Sequence, residues 1–350
     1  LYIYGGEFNV FGGSVASYWP YLEDASITMS DGVLDIKEQG ILINNNAYAL
    51  NDNITGGRIK CAGNLYIDRA DFTPNAGGFE MYGPTNANVR CTNGGRFWDL
   101  VIDKVDGGKD AGVKPFTDRD GTYYDGTRGN TATATSNIVC YAHLYIDNGT
   151  FNLATYDFTA NGSALVYGSI IMNSAANDFT VNMDMQWRPG ATADIPQGNF
   201  WVKGNWDFPP DISVHLGTGN TVHLNGTNTQ FLYSNDDDSH IGNLLIENTS
   251  NMVWMHSTSI QPLHVAGTMH MPSGSAFQIQ GKSLVVDGEL AIDDGAVMYL
   301  SSSGGGQLTN NSDMELNGSL LVGSGNVLIN GMFDLMTTGT LSINGGSFVN

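Results

Sequence analysis

The chain has 350 residues, 41% of them apolar, which is enough to bury a sizeable core and too long for one ordinary sandwich. Only 14% are charged and 45 are glycine; with Asn, Thr and Ser filling the polar remainder, this composition excludes a helical protein and suits short strands between turns. The 14 basic residues against 35 acidic ones leave a net charge of −21, which repels a phosphate backbone and an anionic membrane and argues against nucleic acid as a partner.

In chain order, Gly followed by two or three alternating apolar positions recurs throughout: GEFNVFG (6–12), GVLDI (32–36), GILIN (40–44), GFEMYG (78–83) and GTFNLA (149–154). GSALVYG (162–168), GNFWVKG (198–204), GNTVHLNG (219–226), GELAID (288–293) and GTLSING (339–345) continue it. Alternation over four to six residues is the period of a half-buried strand, and Gly or Asn at the joints supplies the positive φ of tight turns. The joints repeat as well: Val265-Ala266-Gly267, Val286-Asp287-Gly288, Leu316-Asn317-Gly318, Ile329-Asn330-Gly331 and Ile343-Asn344-Gly345.

A longer duplication is also visible, in which residues 57–104 resemble residues 198–248. Gly57 matches Gly198, Gly83 matches Gly226 and Leu100 matches Leu244, at separations of 141, 143 and 144 residues. Residues 103–137 interrupt the pattern with six Asp and many Gly and Thr, and read as a long acidic loop excursion. Residues 235–238 form a second acidic loop, expected to be solvated.

These short, crowded strands point to an all-β, irregular parallel β-solenoid, a right-handed β-helix, running as one continuous domain over 1–350. At roughly 20–25 residues per coil, the chain makes about 15 coils; with strands about 4.8 Å apart, the rod is on the order of 70 Å long. No run of 18 apolar residues spans a membrane. The chain begins and ends inside strand patterns with no signal-peptide segment, so a processed piece of a longer protein is expected. Cys61, Cys91 and Cys140 sit in apolar strand contexts and read as buried thiols, not a disulfide framework.

NITGGRIKCAGNLYIDRADFTPNAGGFEMYG (53–83), HLNGTNTQFLYSNDDDSHIGNLLIENTS (223–250) and SLLVGSGNVLINGMFDLMTTGTLSINGG (319–346) give the chain a family likeness. It resembles the large repetitive β-helix surface proteins secreted by Gram-negative bacteria of the Bacteroidota-like type, in the style of adhesins and autotransporter passengers. That resemblance implies an extracellular, cell-surface, structural or adhesive role.

No catalytic residue is assigned. Arg58-Ile59-Lys60 matches a tripeptide of polygalacturonase-like hydrolases, but the Gly-His-Gly of that family is missing and strand alternation explains the match. Asp236, Asp237, Asp238 and His240 offer acids for glycoside hydrolysis, but on a loop that reads as solvated. The seven histidines show no triad order, and Gly267 is expected to turn His264 and His270 apart. Asp118, Asp120 and Asp125 alternate around Gly121 and are the candidate metal ligands, for calcium, although the closing Glu of an EF-hand loop is lacking. The aromatics Tyr18, Trp19, Tyr21, Trp201 and Trp206 are candidates for sugar or subunit contacts.

The expected function is an extracellular structural protein building a rod, coat or filament by head-to-tail solenoid stacking, with no cofactor required beyond possible calcium. An adhesin binding surface glycans or neighbouring cells is the alternative; a polysaccharide-active β-helix enzyme has only the fold class in its favour.

Overall fold

In the computed structural model, residues 2–17, 20–36, 40–44, 52–69, 72–83, 86–104, 131–280, 283–300 and 306–350 are described. The alternating segments form short strands, and every described pairing between them is parallel. No helix occurs among the described residues, so none is long and apolar enough to cross a membrane. The chain is all-β, with parallel sheets stacked as a β-solenoid of about 13 turns, near the 15 coils expected from its length. It divides into two units, Leu1–Ile171 and Met172–Asn350.

Alternation decides which side chains enter the core. Along a strand every second residue points inward, and a parallel neighbour in register sets the same phase directly above it. In unit 1 this gives the inward column Leu34, Ile59, Phe79, Leu100, Leu144 and Ala164, all essentially inaccessible to solvent. In unit 2 one face carries Met185, Trp206, Leu232, Met255, Ile279, Leu300 and Val322 inward. A second face carries Phe179, Phe200, Val222, Leu244, Met269, Leu290 and Met314. A third stacks Leu263, Leu284, Leu308 and Val327. Trp187, Phe200, Trp206 and Phe208 meet in edge and tilted ring contacts, with centroids 5.5–6.4 Å apart.

The stretches offset by 141 to 144 residues each form ladders within their own unit, in different sheets. Ile59, Phe79 and Leu100 form three successive rungs, and so do Phe200, Val222 and Leu244. Gly57 and Gly198 both have positive φ, 79° and 108°, and a Cβ on either would lie 2.6 Å from a methionine methyl, that of Met29 or Met172. Asn64 Oδ1 accepts the Asn88 amide at 2.8 Å, and Asn205 Oδ1 accepts that of Phe231 at the same distance. At the joints the backbone itself is the obstacle: a Cβ on Gly288 would meet the carbonyl oxygen of Gly267, one turn back, at 2.6 Å.

Within the 103–137 segment, Asp103 closes the strand Asp99–Asp103 and Thr131–Ala134 is a strand between Ala87–Cys91 and Thr150–Asn152. Lys104 is buried; its ammonium donates to the carbonyls of Ala62 (2.9 Å) and Tyr82 (2.7 Å), and burial pushes its pKa down to about 8. Residues 105–130 lie outside the described residues.

Phe200→Ala is expected to destabilise unit 2 by about 3–5 kcal/mol, the usual cost of deleting a buried ring. Thr180→Ala, on the outward side of the same sheet, is expected to stay within about 0.5 kcal/mol. Shifts of the denaturant midpoint measure both.

Candidate functional site

The structure takes several residues singled out in the sequence for chemistry and gives them structural work. Arg58 and Lys60 both pair with the buried Glu80, at 2.9 Å each. Asp236 is buried, contrary to the solvated acidic loop expected of 235–238. Its Oδ1 accepts the amides of Asp238 and Ser239, and its Oδ2 that of Ile212, so the carboxylate brackets two turns. Asp237 and Asp238 are exposed. The three cysteines are free and buried, and burial raises each thiol pKa. Trp206 is core, whereas Trp201 faces outward and stacks on His223 at 3.6 Å. Tyr18, Trp19, Asp118, Asp120 and Asp125 lie outside the described residues, as does the side chain of Tyr21. Among the described residues no cluster of three or more His, Cys, Asp or Glu is placed to hold a metal ion.

The outward face of unit 2 organises the rest. His264 and His270 flank Gly267 on two strands of different sheets. Four histidine–carboxylate pairs bridge successive turns: His215–Asp238 (3.3 Å), His223–Glu247 (3.0 Å), His264–Asp287 (2.6 Å) and His270–Asp293 (3.0 Å). His215, His240 and His264 form one column, with ring centroids 4.9 and 5.8 Å apart. Beside His270 the small Ala291 leaves a notch of about 230 Å³, edged by Thr268 and Glu289.

A separate aromatic platform lies on the face built by Met185–Trp187, Trp206–Phe208, Gln230–Ser234, Val253–Met255, Ala276–Ile279 and Val297–Leu300. Its register makes two outward columns. One runs Phe231, Trp254, Gln278, Tyr299; the other runs Gln186, Asp207, Tyr233, with His256 following in the same phase. Phe231 touches Tyr233, Trp254 and His256 at centroid distances of 6.1, 6.2 and 5.3 Å, and Tyr233 lies 4.7 Å from His256. All these side chains are half-buried. Desolvation raises the Asp207 pKa, Arg188 opposes it and Asp184 adds to it; the Tyr233 phenol is raised by desolvation and then by Asp207 and Asp184. Asp207 and the Tyr233 hydroxyl have no hydrogen-bond partner among the described residues. Nδ1 of His256 meets the Thr258 hydroxyl at 2.8 Å and the Thr258 amide at 3.2 Å, while Nε2 has no hydrogen-bond partner among the described residues.

The sequence does carry a signal for this platform, in the alternating pairs Phe231-x-Tyr233 and Trp254-x-His256. It does not carry the turn lengths that superimpose them, 23 residues from Tyr233 to His256 and 26 from Asp207 to Tyr233. No family model, curated protein or solved structure matches the chain.

One pH effect follows from the histidine column. Burial, then the neighbouring His215 and His264, hold the His240 pKa below its ordinary 6.5, with Asp238 only partly offsetting them. The folded state therefore takes up the proton less readily than the unfolded chain, and this contribution to stability falls as pH drops through that range. Asp238 and Asp287 are depressed below 3.8 and matter only at lower pH. Thermal melts between about pH 7 and pH 5 are expected to show a smaller loss of Tm for His240→Gln than for the parent chain.

Proposed function

We propose that the chain is an extracellular structural protein whose solenoid propagates by stacking a second copy onto its last described layer. One observation carries this reading. The inward columns are sealed up to Leu316 and Val322, both 0% exposed, and then open: their successors Leu335 and Ile343 are 50% and 43% exposed. Phe333 and Phe348 sit beside each other in the same layer, ring centroids 5.0 Å apart, both half-buried.

The strands Phe333–Leu335, Thr340–Ile343 and Gly346–Val349 each pair with the preceding turn on one side, and no described strand pairs on the other. Such a surface combines unpaired backbone groups with apolar side chains at strand spacing. A parallel layer of the same construction satisfies both requirements at once. A parallel strand of a second copy supplies such a layer. Contact between two different ends does not close on itself, so it grows a filament. The acidic composition and the likeness to secreted surface proteins of Bacteroidota-like bacteria support an extracellular setting. No catalytic step belongs to this reading.

Sedimentation velocity and negative-stain imaging over a concentration series test it. The parent chain is expected to form concentration-dependent linear assemblies, and the double variant Leu335→Asp, Ile343→Asp to remain monomeric with its far-ultraviolet circular dichroism unchanged. A parent chain that stays monomeric throughout the series overturns the reading.

A further inference from the structure

We propose that the outward aromatic platform of unit 2 binds a neutral, β-linked polysaccharide laid along the solenoid axis, across Asp207, Tyr233 and His256 on one side and Phe231, Trp254 and Tyr299 on the other. The inference is independent of end-to-end stacking, because the platform lies on a lateral face.

The first argument is the mixture of surfaces. A pyranose ring offers an apolar face of C–H groups and an equatorial rim of hydroxyls. The platform offers aromatic rings next to hydrogen-bonding groups with spare capacity: the Asp207 carboxylate accepts, the Tyr233 hydroxyl does both, and His256 Nε2 is without a partner among the described residues. Gln278 and Gln280 add amides at the next turn of the two columns, both half-buried and without a hydrogen bond to a described residue. A purely apolar partner would leave these groups desolvated and unpaired.

The second argument is rigidity. Phe231 is wedged against Tyr233, Trp254 and His256; Phe231, Tyr233 and Trp254 project from strands paired on both sides, and His256 follows the last residue of such a strand. Little conformational freedom remains to be lost on binding.

The third is spacing. Each column repeats with the strand separation of about 4.8 Å, and a β-1,4-linked pyranose chain advances about 5 Å per sugar, so successive sugars meet successive turns. The five turns from Asp207 to Tyr299 then take about four or five sugars.

Charge selects the class. Asp184 and Asp207 are carboxylates of the face, while Arg188 beside them donates to the side-chain Oε1 of Gln186. A polyuronate or sulfated glycan meets repulsion here, reinforced by the net charge of −21. A neutral glycan does not.

Titration of the full chain with cellohexaose, chitohexaose and hexagalacturonate, followed by calorimetry and tryptophan fluorescence, tests the proposal. At least one of the two neutral hexamers is expected to bind and hexagalacturonate to fail. Trp254→Ala and Tyr233→Ala are each expected to weaken binding about tenfold or more, the scale of one lost aromatic stacking contact. Trp254→Phe should retain most of the affinity, and that rescue separates loss of the ring from loss of the fold. The stacking-deficient Leu335→Asp, Ile343→Asp variant should bind like the parent, so failure of assembly and failure of this site are read separately. Absence of binding by both neutral hexamers overturns the proposal, as does binding that survives Trp254→Ala. Self-association lost in Trp254→Ala with no hexamer bound also overturns it, and assigns the platform to a protein surface instead.

Discussion

Everything in this protein depends on the in-register parallel ladder. Each strand pairs with the strand one turn before and one turn after, and the register places residues of the same phase directly above one another. An inward position with a turn on both sides is therefore flanked by other inward positions and shielded from water. That is why Leu34, Ile59, Phe79, Leu100 and Leu144 form an unbroken apolar column, and why an inward position tolerates rings as large as Trp206 only where neighbours such as Trp187 and Phe208 pack around them. The same stacking forces glycine at the corners, where backbone carbonyls of the previous turn occupy the space of a Cβ.

The ladder also explains how so acidic a chain avoids spending its charge on self-repulsion. Many carboxylates accept backbone amides of a neighbouring turn: Asp99 from His143, Asp184 from Asn205, Asp313 from Met332, and Asp236 from Ile212. Others meet a histidine one turn away. Charge-assisted bonds of this kind cost little surface area and tie turn to turn where the core is narrow. The acidic composition is thus partly a set of fastenings as well as a solvated exterior.

Two surfaces do not fit that closed scheme. The layer of Leu335 and Ile343 leaves inward side chains open, and the face around Tyr233 and Trp254 holds rings and unpartnered polar groups on an outward side where small polar residues would suffice. The first has the chemistry of another β layer, the second that of a polyhydroxylated chain.

Alternation and joint glycines were legible in the linear order because strand period and turn conformation are local properties; they determined an all-β chain, parallel stacking and an interior of Val, Ile, Leu, Phe and Met. Burial of the three thiols followed from the same pattern. What the tertiary structure alone decided was vertical neighbourhood. The turns differ in length, 26 residues from Asp207 to Tyr233 and 23 from Tyr233 to His256, so no fixed period in the sequence reveals which outward residues coincide. Hence Asp236 reads as a loop acid and proves to be a buried bracket. Hence also Phe231, Tyr233, Trp254 and His256, unremarkable in separate strands, become one surface only when the ladder sets their register, because contacts between turns are made by backbone pairing across 20 or more residues and not by local sequence.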